Sequence, residues 1–255
     1  MDGDGPTVVF VHQGIADGRV WEPQWSSLGA YRRIRPDLRS FGRSAVGALP
    51  LSHARDVAGL LDELGVGGAA LVGGSLGGRV TLELAVARPE LVAALVLIGS
   101  GLPGHDWSSA VERYAHAEDE AVSRGDLAAA TEVNLRMWVD GPRRTPDQVD
   151  PGVREAMRAM LLRALELQAP VWADLDEELL VPDVGERLGE IRVPTLVLVG
   201  DEDVEDMQTI AARLAEAIPG ARRATIAGAA HVPNLERPAE VDAHLLDFLA
   251  EVLPG

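Results

Sequence analysis

The stretch Ala69-Ala70-Leu71-Val72-Gly73-Gly74-Ser75-Leu76-Gly77-Gly78-Arg79 limits what this chain can become more than any other. An apolar run stops at a pair of glycines, a single serine follows, and then Leu76, Val80 and Leu84 recur at helical spacing. Gly73-Gly74-Ser75-Leu76-Gly77 fits the pattern G-x-S-x-G, in which a strand turns abruptly into a helix and holds the serine hydroxyl at the tip of the turn. Such a turn strains the serine backbone, so the positions two before and two after it must lack side chains. Ser75 would then sit at a helix N-terminus, where free N–H groups and the helix dipole favour a developing negative charge. Glycine–serine clusters also form ordinary turns, and it is the strand–turn–helix context that sets this one apart.

The rest of the chain supplies that context. Thr7-Val8-Val9-Phe10-Val11-His12 reads as a buried parallel strand and opens into the loop His12-Gln13-Gly14-Ile15, which runs on to Trp21. A short strand is expected over 32–36. A helix follows from a Ser52 cap to Leu64, with Val57, Leu60, Leu61 and Leu64 on one face. Strand 69–73, helix 76–88 and strand 92–98 come next. From about Gly101 to Glu190 the strands cease, and three helical stretches appear near 107–124, 127–139 and 151–168. Strand 195–199, helix 206–217, strand 222–227 and helix 239–252 then restore the alternation. The pattern predicts an α/β protein with a parallel sheet covered on both faces. The helical block inserted between two strands is expected to lie over the strand C-terminal ends, where such sheets bind ligands.

A serine hydroxyl is a poor nucleophile near neutral pH and needs a base. The base in turn needs a carboxylate that fixes its tautomer. In an α/β arrangement these come from later strand ends, in the order serine, acid, histidine. Strand 195–199 runs into Gly200-Asp201-Glu202-Asp203, and strand 222–227 into Gly228-Ala229-Ala230-His231. His231 therefore has the position as well as the chemistry of a base, and Asp201 and Asp203 are the candidate acids.

Five motifs in this order, His12-Gln13-Gly14, Asp37-Leu38-Arg39-Ser40-Phe41-Gly42-Arg43-Ser44, Gly73-Gly74-Ser75-Leu76-Gly77-Gly78, Gly200-Asp201-Glu202-Asp203 and His231-Val232-Pro233-Asn234-Leu235-Glu236-Arg237-Pro238, make the chain resemble the α/β-hydrolase superfamily along nearly its whole length. The resemblance implies a serine-nucleophile, esterase- or lactonase-like enzyme with Ser75, Asp203 and His231 as catalytic residues, since the family places its acid three residues after the strand-ending glycine. It implies an oxyanion hole from the backbone N–H of Leu76 and of a residue after the first strand. Counting from His12 gives Gly14, with Gln13 and Ile15 as alternatives because the glycine is shifted. It also implies a core of 1–102 and 191–255 with a helical cap over 103–190. Family members usually open with two further strands, so about six strands are expected here, with 32–36 at an edge guarded by Arg32, Arg33 and Arg35.

The substrate implied is a small to medium carboxylic ester or lactone. C–C bond hydrolysis, cofactor-free perhydrolysis and ligand sensing without turnover are the alternatives. The C–C branch often carries an aromatic residue after the histidine, where this chain has Val232. Ile15, Met137, Trp138, Met160 and Val232 are candidates to line the substrate pocket, with Trp107 and Met157 as further cap candidates, although apolar residues at helical spacing are more often the material of a cap core. His53, His105, His116 and His244 read as surface residues, and Asp201, Glu202, Glu205 and Asp206 as a solvated helix start without the spacing of a metal loop. Arg136, Arg143 and Arg144 read as exposed. No metal or organic cofactor is expected.

The formal charge of −17 argues against nucleic acid and anionic membranes as partners. The absence of cysteine excludes disulfides and thiolate chemistry and suits a reducing cytoplasm. The acidic, glycine-rich start is unlike a secretory signal, and no apolar run reaches membrane-spanning length. A monomer or weak homodimer is expected.

Overall fold

Six short strands pair into one parallel sheet in the computed structural model, which describes residues 1–253. In chain order they are β1 (Thr7–Val11), β2 (Arg32–Ile34), β3 (Ala69–Gly74), β4 (Val92–Ile98), β5 (Thr195–Gly200) and β6 (Arg222–Ile226). Across the sheet the order is β2-β1-β3-β4-β5-β6. The central β3 is buried throughout, with Leu71 opposite Val9 on one side and Leu95 on the other. Burial of both faces explains why β1, β3, β4 and β5 read as continuous apolar runs rather than alternating ones, whereas the edge strands β2 and β6 carry arginines.

The chain steps outward from β1 to β2 and then returns to place β3 on the other side of β1. That reversal opens a crevice beyond the carboxyl ends of β1 and β3, the usual ligand position in such sheets. The loop after β1 and the serine after β3 both emerge there.

The helices α2 (His53–Glu63), α3 (Leu76–Ala87), α7 (Glu205–Ala217) and α9 (Pro238–Val252) accompany the strands. Two short helical segments fall within the loop expected to run to Trp21 and just beyond it: a 3-10 turn over Gly18–Trp21 and α1 (Glu22–Ser27). Their apolar residues are too few to show a period, and the turn is begun instead by Asp17, whose carboxylate accepts from Arg19 N at 3.0 Å. Ser52 precedes α2 as expected, but its hydroxyl does not cap the helix; the Oγ is buried without a partner, and only its carbonyl engages, accepting from Asp56 N at 2.9 Å.

Between β4 and β5 come α4 (Ser109–Ser123), α5 (Leu127–Asn134), a π-helical turn over Leu135–Asp140, and α6 (Pro151–Gln168). The chain then returns along the core, where Leu51 pairs with Glu177 in a parallel bridge and Val181, Val184 and Leu188 are buried. A four-residue α8 (Pro233–Glu236) follows the histidine loop. None of the helices in the described residues is long and apolar enough to cross a membrane.

The β2 edge differs from the expected row of projecting arginines. Arg33 is 7% exposed; its guanidinium reaches Asp2 at 2.7 Å and the Trp25 carbonyl, and it lies 5.0 Å from the Trp25 ring. Arg35 stacks on the same ring at 4.4 Å. Asp2 adds an antiparallel bridge to Arg33, so the chain's own start covers part of this edge.

Candidate active site

Ser75 stands between β3 and α3 with φ 48° and ψ −112°, a conformation that L-residues adopt only under constraint. The flanking glycines show the constraint. A methyl on Gly73 would overlap the Gly77 carbonyl, and one on Gly77 would overlap the Val11 carbonyl of the neighbouring strand. The strained turn is tied down by the Ser75 N–H, which donates to the Ile98 carbonyl at 3.0 Å, and by the Ser75 carbonyl, which accepts from Gly101 N at 3.0 Å. Ser75 itself remains partly exposed.

The two other candidates meet beside it. Asp203 Oδ2 and His231 Nδ1 are 2.8 Å apart, with side chains only 1% and 2% exposed. The second carboxylate oxygen, Asp203 Oδ1, accepts from Val204 N at 2.8 Å. Gly99, the residue after the strand end that holds the Ser75 N–H, passes close by: a methyl there would stand 3.2 Å from His231 Nδ1 and 3.5 Å from Asp203 Oδ2. Asp201 does something else. Its Oδ1 accepts from Gly228 N at 2.6 Å and ties the two strand-end loops together at the surface. No hydrogen bond joins Ser75 Oγ to His231 among the described residues; such contacts commonly tighten only when substrate binds.

The Leu76 N–H, the first of α3, has no backbone acceptor among the described residues. The loop after β1 lies against it, with a methyl on Gly14 standing 3.6 Å from Leu76 Cβ. His12 anchors this loop. Leu38 N donates to its Nε2 at 3.0 Å, which leaves the ring proton on Nδ1 to donate to the Gln13 carbonyl at 2.8 Å. Burial lowers the pKa of His12, against the smaller opposing pull of that hydrogen bond, and keeps it neutral.

Of the pocket candidates, Trp138 packs directly on His231. Its ring centroid is 4.6 Å from that of His231, and its carbonyl accepts from His231 N at 3.1 Å. It sits within the π-helical turn, a local distortion that often marks functional positions. Val232 and Met157 are fully buried, Met160 and Ile15 nearly so. Met137 points elsewhere and lines an open surface cavity of about 620 Å³ with Tyr114, Val133 and Pro142. Trp107 is 39% exposed, its ring against His105 rather than within the site.

Four groups expected at the surface are not there, the first being His105, whose side chain is only 11% exposed with Nε2 3.2 Å from Asp206 Oδ1. His53 is 3% exposed, and burial, opposed in part by nearby Glu177, lowers its pKa to about 4. Asp206 is not solvated; it accepts from Ser108 N at 2.8 Å and Ser108 Oγ at 2.7 Å, joining the start of α7 to the segment before α4. Arg144 is mostly buried and bonds Glu236 at 2.7 Å. The acids after β5 therefore serve separate partners, and no three His, Asp or Glu side chains among the described residues are grouped to hold a metal ion.

Sequence reasoning missed the supports beneath α3 and behind the loops. Arg79 pairs with Glu83, whose side chain is fully buried and whose Oε2 accepts from Val181 N at 3.0 Å, and with Glu177 at 2.6 Å. Gln13 and Asn234, both fully buried, bond each other at 3.1 Å. The available signal was a charged or amide residue set in an apolar stretch, which marks a buried partner without naming it.

Residues 8–244 match the model of the Alpha/beta hydrolase family. A putative carbamate hydrolase of Azorhizobium caulinodans is 30% identical over 254 residues, covering 96% of this chain and 92% of that protein. A 2-hydroxy-6-oxo-6-phenylhexa-2,4-dienoate hydrolase of Comamonas testosteroni is 27% identical, covering 98% and 89%. The structure of a thermophilic esterase from Thermogutta terrifontis aligns with a TM-score of 0.77 at 28% identity, over 98% of this chain and 92% of that one.

Proposed function

The chain belongs to the alpha/beta hydrolase family, and we propose that it is a serine hydrolase that cleaves a small to medium carboxylic ester or lactone through an acyl-enzyme. Ser75 Oγ attacks the carbonyl carbon while His231 Nε2 takes its proton. Asp203 holds the Nδ1 proton and balances the imidazolium that forms. The carbonyl oxygen becomes an oxyanion and accepts from the Leu76 N–H and from a donor in the loop after β1, with Gly14 as the assignment. Collapse of this intermediate breaks the C–O bond, and His231 returns its proton to the leaving alcohol. Water then attacks the acyl-enzyme by the same route, releasing the acid and restoring Ser75.

The observation that carries this reading is the buried 2.8 Å pair of Asp203 and His231 beside a serine held at φ 48° on the first turn of a helix. A buried pair could be structural, but a strained, partly exposed serine next to it serves no packing need. We assign residues 103–190 as a cap on a core of 1–102 and 191–255; the contact of Trp138 with His231 supports that reading and makes the cap one wall of the site.

C–C hydrolysis is the second reading, favoured by the likeness to the dienoate hydrolase. A panel of p-nitrophenyl esters and lactones of graded size, run beside a 2-hydroxy-6-oxo-dienoate, separates the two. Multiple turnovers on esters or lactones with none on the dienoate support the proposal. Preference for the dienoate, or a single slow turnover leaving a lasting adduct, overturns it.

A further inference from the structure

Gln13 is a fully buried amide in the loop that carries Gly14, and the proposed acyl transfer leaves its side chain without a task. Its Nε2 donates to Asn234 Oδ1 at 3.1 Å. Asn234 Nδ2 donates to the Val20 carbonyl at 2.8 Å, and the Asn234 carbonyl accepts from Gln24 Nε2 at 3.2 Å. The Val20 bond fixes the orientation of the Asn234 amide, because only its NH₂ can satisfy a carbonyl. Asn234 therefore offers Oδ1 to Gln13, and Gln13 must answer with its own NH₂. That leaves Gln13 Oε1 buried with no partner. An orphaned buried acceptor destabilises a fold, so stability alone does not account for this amide.

The same side chain packs on the serine turn. A methyl added to Gly74 would stand 2.7 Å from Gln13 Cδ and 2.8 Å from its Nε2. Gln13 thus touches the residue before Ser75, lies next to Gly14, and holds Asn234, three residues beyond His231. We propose that Gln13 and Asn234 form a positioning pair, which locks the loop after β1 to the histidine loop so that the oxyanion donor, Ser75 and His231 keep their spacing. The inference rests on the serine-hydrolase reading above.

The test uses the full chain as Gln13→Met, Asn234→Ala and the double variant. Thermal unfolding, kcat and KM on p-nitrophenyl butyrate, and the rate of labelling by a fluorophosphonate are measured for each. Met matches the volume of Gln and removes the orphaned oxygen but leaves Asn234 Oδ1 unpaired in its place, so Gln13→Met should change Tm little. Its kcat and labelling rate should fall by roughly 10- to 100-fold, the scale of a small misplacement of reacting groups, with KM within a few-fold. Asn234→Ala also leaves the Val20 carbonyl and Gln13 Nε2 unpaired, so it should lower Tm as well as kcat, and the double variant should be no slower than the slower single one. Unchanged kcat, losses that only follow a falling Tm, failure of both single variants to fold, or additive losses would each overturn the pair. A wild-type protein that turns over ester but resists the probe, or does neither, would show that the serine reading had failed instead.

Discussion

Asp203→Asn isolates the part of the site that the geometry describes most fully. Asparagine nearly matches the volume of aspartate, so the packing around the buried His231 is retained. Its side-chain oxygen can keep the 2.8 Å bond that Asp203 Oδ1 accepts from Val204 N. The amide NH₂ must then occupy the place of Oδ2, facing His231 Nδ1 where the carboxylate stood at 2.8 Å. A donor facing Nδ1 makes that nitrogen an acceptor and moves the ring proton to Nε2, the atom that receives the Ser75 proton in the proposed mechanism. The base is thereby blocked, and the imidazolium formed in the transition state also loses its buried counter-charge. Breaking a buried ion pair costs about 3–5 kcal/mol, or roughly 10²- to 10⁴-fold in rate. The same substitution in a serine triad costs on the order of 10⁴. A fall of about 10³- to 10⁴-fold in kcat on p-nitrophenyl butyrate is therefore expected, with Tm changed little. Asp201→Asn is the control, because asparagine can still accept from Gly228 N and the site is at the surface; its kcat should stay within a few-fold of wild type. The opposite ranking, or more than a tenth of wild-type kcat in Asp203→Asn, would refute the reasoning.

Other perturbations follow from single observations. His53 stays neutral in the fold down to about pH 4, whereas in the unfolded chain it protonates near 6.5. Its contribution is thus intact above pH 6.5 and declines by about 3 kcal/mol as pH falls to 4; His53→Leu should flatten that part of the pH–stability curve in urea unfolding, and an unchanged slope would contradict it. Gly77→Ala drives a methyl into the Val11 carbonyl and should yield insoluble or strongly destabilised protein, while Gly65→Ala, with no atom within 4 Å, should remain soluble at a smaller cost in Tm. Trp138→Phe keeps a ring against His231 and should hold kcat within a few-fold, whereas Trp138→Ala should lower kcat by about tenfold or more and alter the preference between acetate and butyrate esters; equal preference profiles would mean that Trp138 only fills the cap.

The strands and their parallel order were legible because burial on both faces leaves an unbroken apolar run, as in Ala69–Val72 and Val92–Ile98. Ser75 could be proposed because it follows such a run, and His231 because it follows the end of β6 in the order serine, acid, histidine, although β6 itself, Arg222-Arg223-Ala224-Thr225-Ile226, is mostly exposed. What could not be read was long-range pairing. Nothing local distinguishes His53, buried with its ring near Phe41, from exposed His116, or Asp206, which bonds Ser108, from the solvated acids beside it. The Gln13–Asn234 bond spans 221 residues. Ser52 misled for a related reason: its sequence position suits a cap, but the chain entering α2 buries the hydroxyl instead. The 3-10 turn at Gly18–Trp21 was hidden because Asp17 and Asp37 hold it, rather than any periodicity.

The most direct measurement of the central claim is covalent. The full chain is treated with a fluorophosphonate probe at neutral pH, digested, and mapped by mass spectrometry, with ester turnover followed in parallel. The account predicts one adduct per chain, on Ser75, formed in step with the loss of turnover and absent from a folded Ser75→Ala variant that no longer hydrolyses ester. Labelling of another residue, or turnover that survives in Ser75→Ala, would contradict it.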